Sequence, residues 1–175
     1  MLILIAESKT MSNPLPVNDS DAFDNHCPLT QDRVEELISS WRELTVDQLA
    51  GAIKISPALA RSMKLMIHDF PDKSRMSPAI EAYTGVVFKA LDFKSLSEEA
   101  KQNAVARVRI ISSLYGYLRP DDLIKPYRLD FTTVMTPPAI MMSRYWRETV
   151  TRLLINDLSD EGSTEILDLM PADAA

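Results

Sequence analysis

Arg109-Ile110-Ile111-Ser112-Ser113-Leu114-Tyr115-Gly116-Tyr117-Leu118-Arg119-Pro120-Asp121-Asp122-Leu123-Ile124-Lys125-Pro126-Tyr127-Arg128-Leu129 is the segment on which the architecture turns. Aromatics, a glycine, prolines and positive charge crowd together in it. From Lys101 to Arg128 six Lys or Arg stand against two acids, a local net of +4 in a chain of net −6, which leaves −10 for the remainder. A basic island in an acidic protein predicts a site for an anion, and phosphate is the commonest biological one. Ile111 to Ile124 has the outline of a helix, a tight turn at Gly116 and a short second helix opening at Pro120. Two readings fit it. In a helix-hairpin-helix, Tyr115 to Leu118 form the hairpin, Ser113 takes its first small position, and backbone N–H groups with Arg119 face a DNA phosphate without reading sequence. In an ordinary helix end, Gly116 is a left-handed stop and Pro120 begins the next turn.

Outward from this segment, the helical spacing of Ala104, Val108, Ile111 and Tyr115 extends one helix from a Ser97 cap, with Glu98 and Glu99 favoured by its dipole. Upstream, Thr30 caps a helix to about Trp41, and Thr45 with Gln48 forms a capping box. Ser56-Pro57 and Ser77-Pro78 each open a helix, running to about Asp69 and Tyr83. Leu2 to Ile5 is a short buried strand. It is followed by Glu7-Ser8-Lys9-Thr10 and a long loop to Pro28, of a length that is usually functional or mobile. Downstream, Arg128 to Val134 reads as a strand, Ser143 to Asn156 as a helix and Glu165 to Leu169 as a final strand. The fold class is α+β, a mixed α/β and mostly helical single domain over 1–175.

The 46% apolar and 25% charged composition is that of a soluble globular protein. The acidic balance argues against wholesale coating of nucleic acid and leaves room for a local patch. Cys27 stands alone, which suits a reducing cytosol. No stretch approaches the roughly 18 apolar residues of a membrane span, so the expectation is a cytoplasmic protein with no membrane contact. His26, Cys27 and His68 lack the ligand number and spacing of a metal centre, and no metal or cofactor is expected. P-loop, Gly-rich dinucleotide and nucleophile-elbow patterns are missing. Lys9, after the first strand, is placed to meet a phosphate or carboxylate at a strand's carboxyl end. Tyr127 and Arg128 are suited to stack on a base or grip a phosphate, and equally to a core tyrosine and a partner for Asp130.

The run Ser113 to Leu129 resembles the signature of the YaaA peroxide-stress family. Three further places agree in order: Met1 to Ile5 with Ser8-Lys9-Thr10, Lys54-Ile55-Ser56, and Tyr83-Thr84-Gly85-Val86-Val87-Phe88-Lys89-Ala90-Leu91. The resemblance implies a compact α/β fold and a cytosolic bacterial protein that protects against hydrogen peroxide. It also implies a link to limiting free iron, and DNA binding through a helix-hairpin-helix-like element and a basic cleft. No cofactor or settled reaction comes with it. By position, Lys9, Tyr115, Gly116, Arg119, Tyr127 and Arg128 match its motifs. Ser113 stands where the family has glycine, which implies a distorted hairpin. After Ile166-Leu167-Asp168-Leu169 the sequence diverges and ends, so the family's C-terminal portion, with its basic segment, is expected to be missing.

The leading expectation is thus a peroxide-stress protein, non-enzymatic, binding double-stranded or branched DNA without sequence preference. Its contacts would come from Lys9, Arg109, Ser113, Leu114, Tyr115, Gly116, Arg119, Lys125, Tyr127 and Arg128. The alternative is an enzyme or binding protein for a nucleotide or phosphorylated small molecule, with Lys9, Arg119 and Arg128 as an anion clamp. Direct iron sequestration is a third reading. Oligomeric state is left open.

Overall fold

The computed structural model describes residues 1–12, 15–16, 26–73, 75–135 and 140–172, with backbone alone at 15, 16 and 135. Most of the long loop expected before Pro28 lies outside the described residues. The aliphatic run near the N-terminus forms strand β1 (Leu2–Ala6). Its neighbour is β4 (Val108–Ser112), parallel to it in the register Ile3 to Val108 and Ile5 to Ile110. On β1's other side lies β9 (Ile166–Asp168), also parallel. Beyond β4, β5 (Gly116–Leu118) returns antiparallel, Ile110 opposite Leu118 and Ser112 opposite Gly116. The order β5-β4-β1-β9 makes a mixed sheet. Smaller pairings join β2 (Leu15–Pro16), β3 (Arg75–Pro78) and β6 (Leu123–Ile124), and join β7 (Val134–Met135) to β8 (Ile140–Met141).

The helix expected to run from Ser97 to Tyr115 therefore ends early. Helix α6 (Glu98–Arg107) stops at Val108, and the chain continues as a strand whose five residues are all buried. Val108, Ile110 and Ile111 are β-branched and favour a pleated surface. Pairing with β1 and β5 satisfies their backbone, and the apolar layers on the two sides of the sheet cover both faces. The helix-hairpin-helix is overturned by the same fact: Ile111 to Ile124 is strand, turn, strand, turn, strand. Gly116 does adopt the left-handed region, at φ 70°, but as the β4–β5 turn. Ser113 needs no such conformation, so serine there distorts nothing.

The expected caps form where local chemistry specifies them. Helix α1 (Gln31–Arg42) follows Thr30 and buries Val34, Leu37, Ile38 and Trp41. The Thr30 hydroxyl caps nothing, donating instead to the Tyr115 carbonyl at 2.5 Å. Helix α2 (Val46–Ile53) has the full capping box: Thr45 Oγ1 accepts from the Gln48 N–H and Gln48 Oε1 from the Thr45 N–H. Ser56 caps α3 (Pro57–Asp69), and Ser97 caps α6. Ser77-Pro78 departs from expectation: both residues end β3, and Pro78 leads into the single turn of α4 (Ala79–Ala82). Gly85 precedes α5 (Val86–Leu91). A Cβ on Gly85 would lie 2.5 Å from that of Ser8, whose hydroxyl accepts the Gly85 N–H. Arg128 to Thr133 is irregular, only Val134 entering a strand, and α7 (Met142–Asp160) is longer than expected.

The sheet separates two apolar layers. Ile5, Val108, Ile110 and Leu118 join the principal core with Leu37, Ile38, Trp41, Ile53 and Met63 from α1 to α3. On the opposite face Ile111, Tyr117 and Phe131 pack with Val150, Leu153 and Leu154 of α7. The result is one α+β domain.

Candidate functional site

The basic island disperses when the chain folds. Arg109 lies on the α7 side of β4, where its Nε donates to Asp157 Oδ2 at 2.5 Å and to the Tyr117 hydroxyl at 2.9 Å. Its Nη1 donates to the carbonyls of Val105 and Val108. Burial opposes its charge, but the Asp157 hydrogen bond and the nearby acidic groups outweigh it, so the guanidinium pKa is raised. Lys125 is also buried; its Nζ donates to the Asp69 carbonyl, and burial lowers its pKa against the pull of Asp72 and Asp69. It lines a cavity of about 280 Å³ together with Arg42, Lys73 and Glu35.

Ser113, Leu114, Tyr115 and Gly116 are buried as well. The N–H groups that a DNA hairpin would present to phosphate have internal acceptors: Ser113 N donates to Glu7 Oε2 at 2.8 Å and Tyr115 N to Ser112 Oγ at 2.9 Å. The turn's carbonyls are held too, Tyr115 by Thr30 and Ser113 by the Trp146 indole N–H at 2.9 Å. The Tyr115 hydroxyl accepts the Lys125 N–H.

Of the expected clamp of Lys9, Arg119 and Arg128, two members are in contact. Lys9 and Arg128 meet, the guanidinium donating to the Lys9 carbonyl. Arg119 follows β5, whose last residue, Leu118, lies opposite Ile110, whereas Lys9 follows β1, whose last residue, Ala6, lies opposite Ile111. The two segments leave the sheet in opposite directions, on either side of β4. Arg119 is exposed, and its N–H donates to Asp122 Oδ2 at 2.7 Å. Asp122 is no first-turn helix acid: it is buried beneath a turn, and burial lifts its pKa to about 7.

At the carboxyl ends of β1 and β4 the structure assembles a different group. Glu7 prolongs β1, its N–H donating to the Ile111 carbonyl. Its Oε2 accepts from the Tyr127 hydroxyl. The Tyr127 hydroxyl also lies 2.7 Å from the Tyr83 hydroxyl and 2.6 Å from Ser112 Oγ. Burial raises the Glu7 carboxyl to about 7, with hydrogen bonds from Ser113, Tyr127 and Ser112 holding it below a still higher value. Burial and the Glu7 charge hold the Tyr83 and Tyr127 phenols well above their ordinary value. At the rim, Lys9 Nζ pairs with Asp130 at 2.5 Å, and Lys9 with Thr132 holds the Asp130 carboxyl down at about 2. The sequence signal for Glu7 was an acid directly after a buried strand, where α/β folds collect ligands.

A second feature sits on α7. Arg144, Arg147 and Arg152 are exposed and, with Glu148, Thr151 and Asn156, surround a shallow depression. The sequence signal was three arginines against one acid at spacings that share a helix face. Among the described residues no group of three or more His, Cys, Asp or Glu side chains is placed to hold a metal, and no helix is long and apolar enough to cross a membrane.

The sequence matches, over residues 1–173, the profile of the family described as peroxide stress protein YaaA. It is 36% identical over 146 residues to a UPF0246 protein of Idiomarina loihiensis, covering 81% of this chain and 57% of that one. A UPF0246 protein of Salinispora tropica is 36% identical over 156 residues, covering 88% and 58%. One of Parabacteroides distasonis is 34% identical over 178 residues, covering 99% and 67%. The chain thus spans 57 to 67% of the length of these curated relatives. With a family profile matched over nearly its whole length, the chain belongs to the YaaA peroxide stress family.

Proposed function

We propose that this chain serves in the response to peroxide by binding the phosphate backbone of DNA, limiting the damage that peroxide and free iron do there. The carrying observation is the exposed arginine face of α7, Arg144, Arg147 and Arg152 against the single acid Glu148. These guanidinia stand on the outer side of a helix seated on the sheet by Trp146 and Val150, so the scaffold holds them at fixed spacing. Guanidinium forks match phosphate oxygens, and contacts of this kind carry affinity without reading sequence. The reading places no role on the β4–β5 turn, on Arg109 or on Lys125, and it assigns no iron site.

Salt dependence tests it. Fluorescence anisotropy with a labelled duplex of about 25 base pairs should show affinity falling steeply with salt, each phosphate contact adding about 0.9 to the logarithmic slope. Replacing Arg144, Arg147 and Arg152 together by alanine should flatten that slope by up to about three contacts. Arg119→Ala should change it little. Salt-insensitive binding, or a larger loss from Arg119→Ala than from the triple replacement, overturns the assignment.

A further inference from the structure

A second set of cations lines one common space, and none of it takes part in the DNA reading. A cavity of about 280 Å³ lies between α1, the chain that follows α3, β3 and the residue after β6. Helix α1 supplies Glu35 and Arg42, seven positions apart and so on one helix face. Phe70 and Lys73 come from the turn after α3, Met76 from β3, and Lys125 from the position directly after β6. Three cations thus stand in the wall against one acid, with Phe70 and Met76 as apolar lining. The volume is at the small end of ligand pockets, roughly 300–1,000 Å³, which suits a single ring with one charged substituent.

Two of these cations have hydrogen-bonding capacity to spare. An ammonium carries three N–H donors. Among the described residues the Lys125 ammonium has one acceptor, the Asp69 carbonyl at the end of α3, although the lysine as a whole is only 7% exposed. A charge so placed gains from a further acceptor in the space beside it. The Arg42 carbonyl is held by Lys64, whereas its guanidinium, on an exposed residue, meets no acceptor among the described residues. The acids nearby are Glu35, which accepts from Gln31 Nε2 at 2.9 Å, and Asp69 and Asp72, whose charges bear on Lys125.

We propose that this cavity binds a small phosphate monoester with an apolar body. Arg42 and Lys125 meet the phosphate, whose three terminal oxygens take up their spare N–H groups. Phe70 and Met76 meet the body. Two cations favour a dianionic phosphate over a singly charged carboxylate. The Glu35 carboxylate in the same wall opposes the anion and limits its affinity.

Phenyl phosphate is the probe, titrated into the isotope-labelled protein at about pH 7.5, where the ester is dianionic, and at fixed ionic strength. Amide resonances of Glu35, Arg42, Lys73 and Lys125 should shift saturably. Inorganic phosphate, which lacks the body, and benzoate, which lacks the second charge, should each bind about tenfold more weakly. Arg42→Gln should weaken phenyl phosphate by about tenfold, and Lys125→Met by at least as much. Glu35→Gln should tighten it. Lys125→Met also removes the donor to Asp69 and can cost folding, so Arg42→Gln, at an exposed position, decides. No saturable binding, shifts confined to α7, inorganic phosphate or benzoate binding as tightly as phenyl phosphate, or an Arg42→Gln affinity equal to wild type overturns the proposal. Replacing Arg144, Arg147 and Arg152 by alanine should leave phenyl phosphate binding unchanged, so the outcome is separate from that of the DNA reading.

Discussion

Asp157→Asn should be among the most damaging single-atom changes available to this fold. The Asp157 side chain is 10% exposed and that of Arg109 7%, so their 2.5 Å ion pair is out of water. Two charges in such a place are tolerable only because each cancels the other and their remaining hydrogen-bonding capacity is filled. Here Tyr117 completes the arrangement, donating to Asp157 Oδ2 at 2.5 Å and accepting from Arg109 Nε at 2.9 Å. Asparagine keeps the shape and an acceptor for Tyr117 but removes the charge, leaving a guanidinium that does not deprotonate. Removing one partner of a buried pair costs about 3–5 kcal/mol. Replacing both by apolar residues of similar size, Arg109→Met with Asp157→Leu, removes the uncompensated charge and should cost less than Asp157→Asn alone, the remaining loss of about 1–3 kcal/mol being that of the Tyr117 hydroxyl left without these partners. The assay is urea unfolding followed by the fluorescence of Trp41 and Trp146, both buried. With a slope of about 2 kcal/mol per molar, Asp157→Asn should move the midpoint down by roughly 1.5–2.5 M. A loss under about 1 kcal/mol, or a double variant as unstable as the two single losses added together, would refute the reasoning. The double variant should also bind DNA like wild type; a loss there would restore Arg109 as a phosphate contact.

Gly116→Ala should destabilise by about 2–5 kcal/mol, because a side chain at φ 70° costs about 1–2 kcal/mol and the new methyl group would lie 2.5 Å from Trp146 Cδ2, which must shift. The same urea midpoints measure it, and a loss under 1 kcal/mol would count against the turn as described. Glu7 makes stability fall as pH rises. Its folded pKa of about 7 lies above the ordinary 4.5, so its contribution is complete below pH 4.5 and is lost as pH climbs through 7. Asp122, raised from 3.8 to about 7, acts in the same sense. Each contributes up to about 1.4 kcal/mol per pH unit in that window. Unfolding midpoints at pH 5, 6, 7 and 8 should show the decline, and Glu7→Gln should remove about half of it; an unchanged slope in that variant would place the carboxyl at its ordinary value.

Where residues near in sequence decide an element, the sequence was legible. Thr45 with Gln48, Ser56 with Pro57 and Ser97 with Glu98 each specify a helix start by a hydrogen bond or charge within one turn, and α2, α3 and α6 begin there. Strand β4 was not legible, because Ala104, Val108, Ile111 and Tyr115 satisfy a helical stripe as well as Val108 to Ser112 satisfy a strand. What selects the strand is β1, more than a hundred positions away, whose register no local pattern contains. The site divides in the same way. Lys9, Tyr127 and Arg128 stood out by residue type and do gather at one strand end. Glu7 did not stand out: its chemistry arises from Tyr83, Ser112, Ser113 and Tyr127, which only folding brings to it.

The fate of the basic island follows from the kind of element each cation occupies. A cation on a strand covered on both faces has no route to water, so folding demands a counter-charge from another segment; Arg109 finds Asp157, 48 residues away on α7. A cation in an irregular stretch over the core meets carbonyls, and Lys125 is held by that of Asp69. On α7, by contrast, one face seats against the sheet and the other stays in solvent, so Arg144, Arg147 and Arg152 keep their charge at the surface without internal partners being required. Net charge summed along a sequence window therefore overstates surface charge wherever the window runs through a buried strand, as it does at Arg109. Within the +4 segment Arg109 and Lys125 are drawn inside while Arg107, Arg119 and Arg128 stay exposed, and on α7 Arg144, Arg147 and Arg152 share one solvent face.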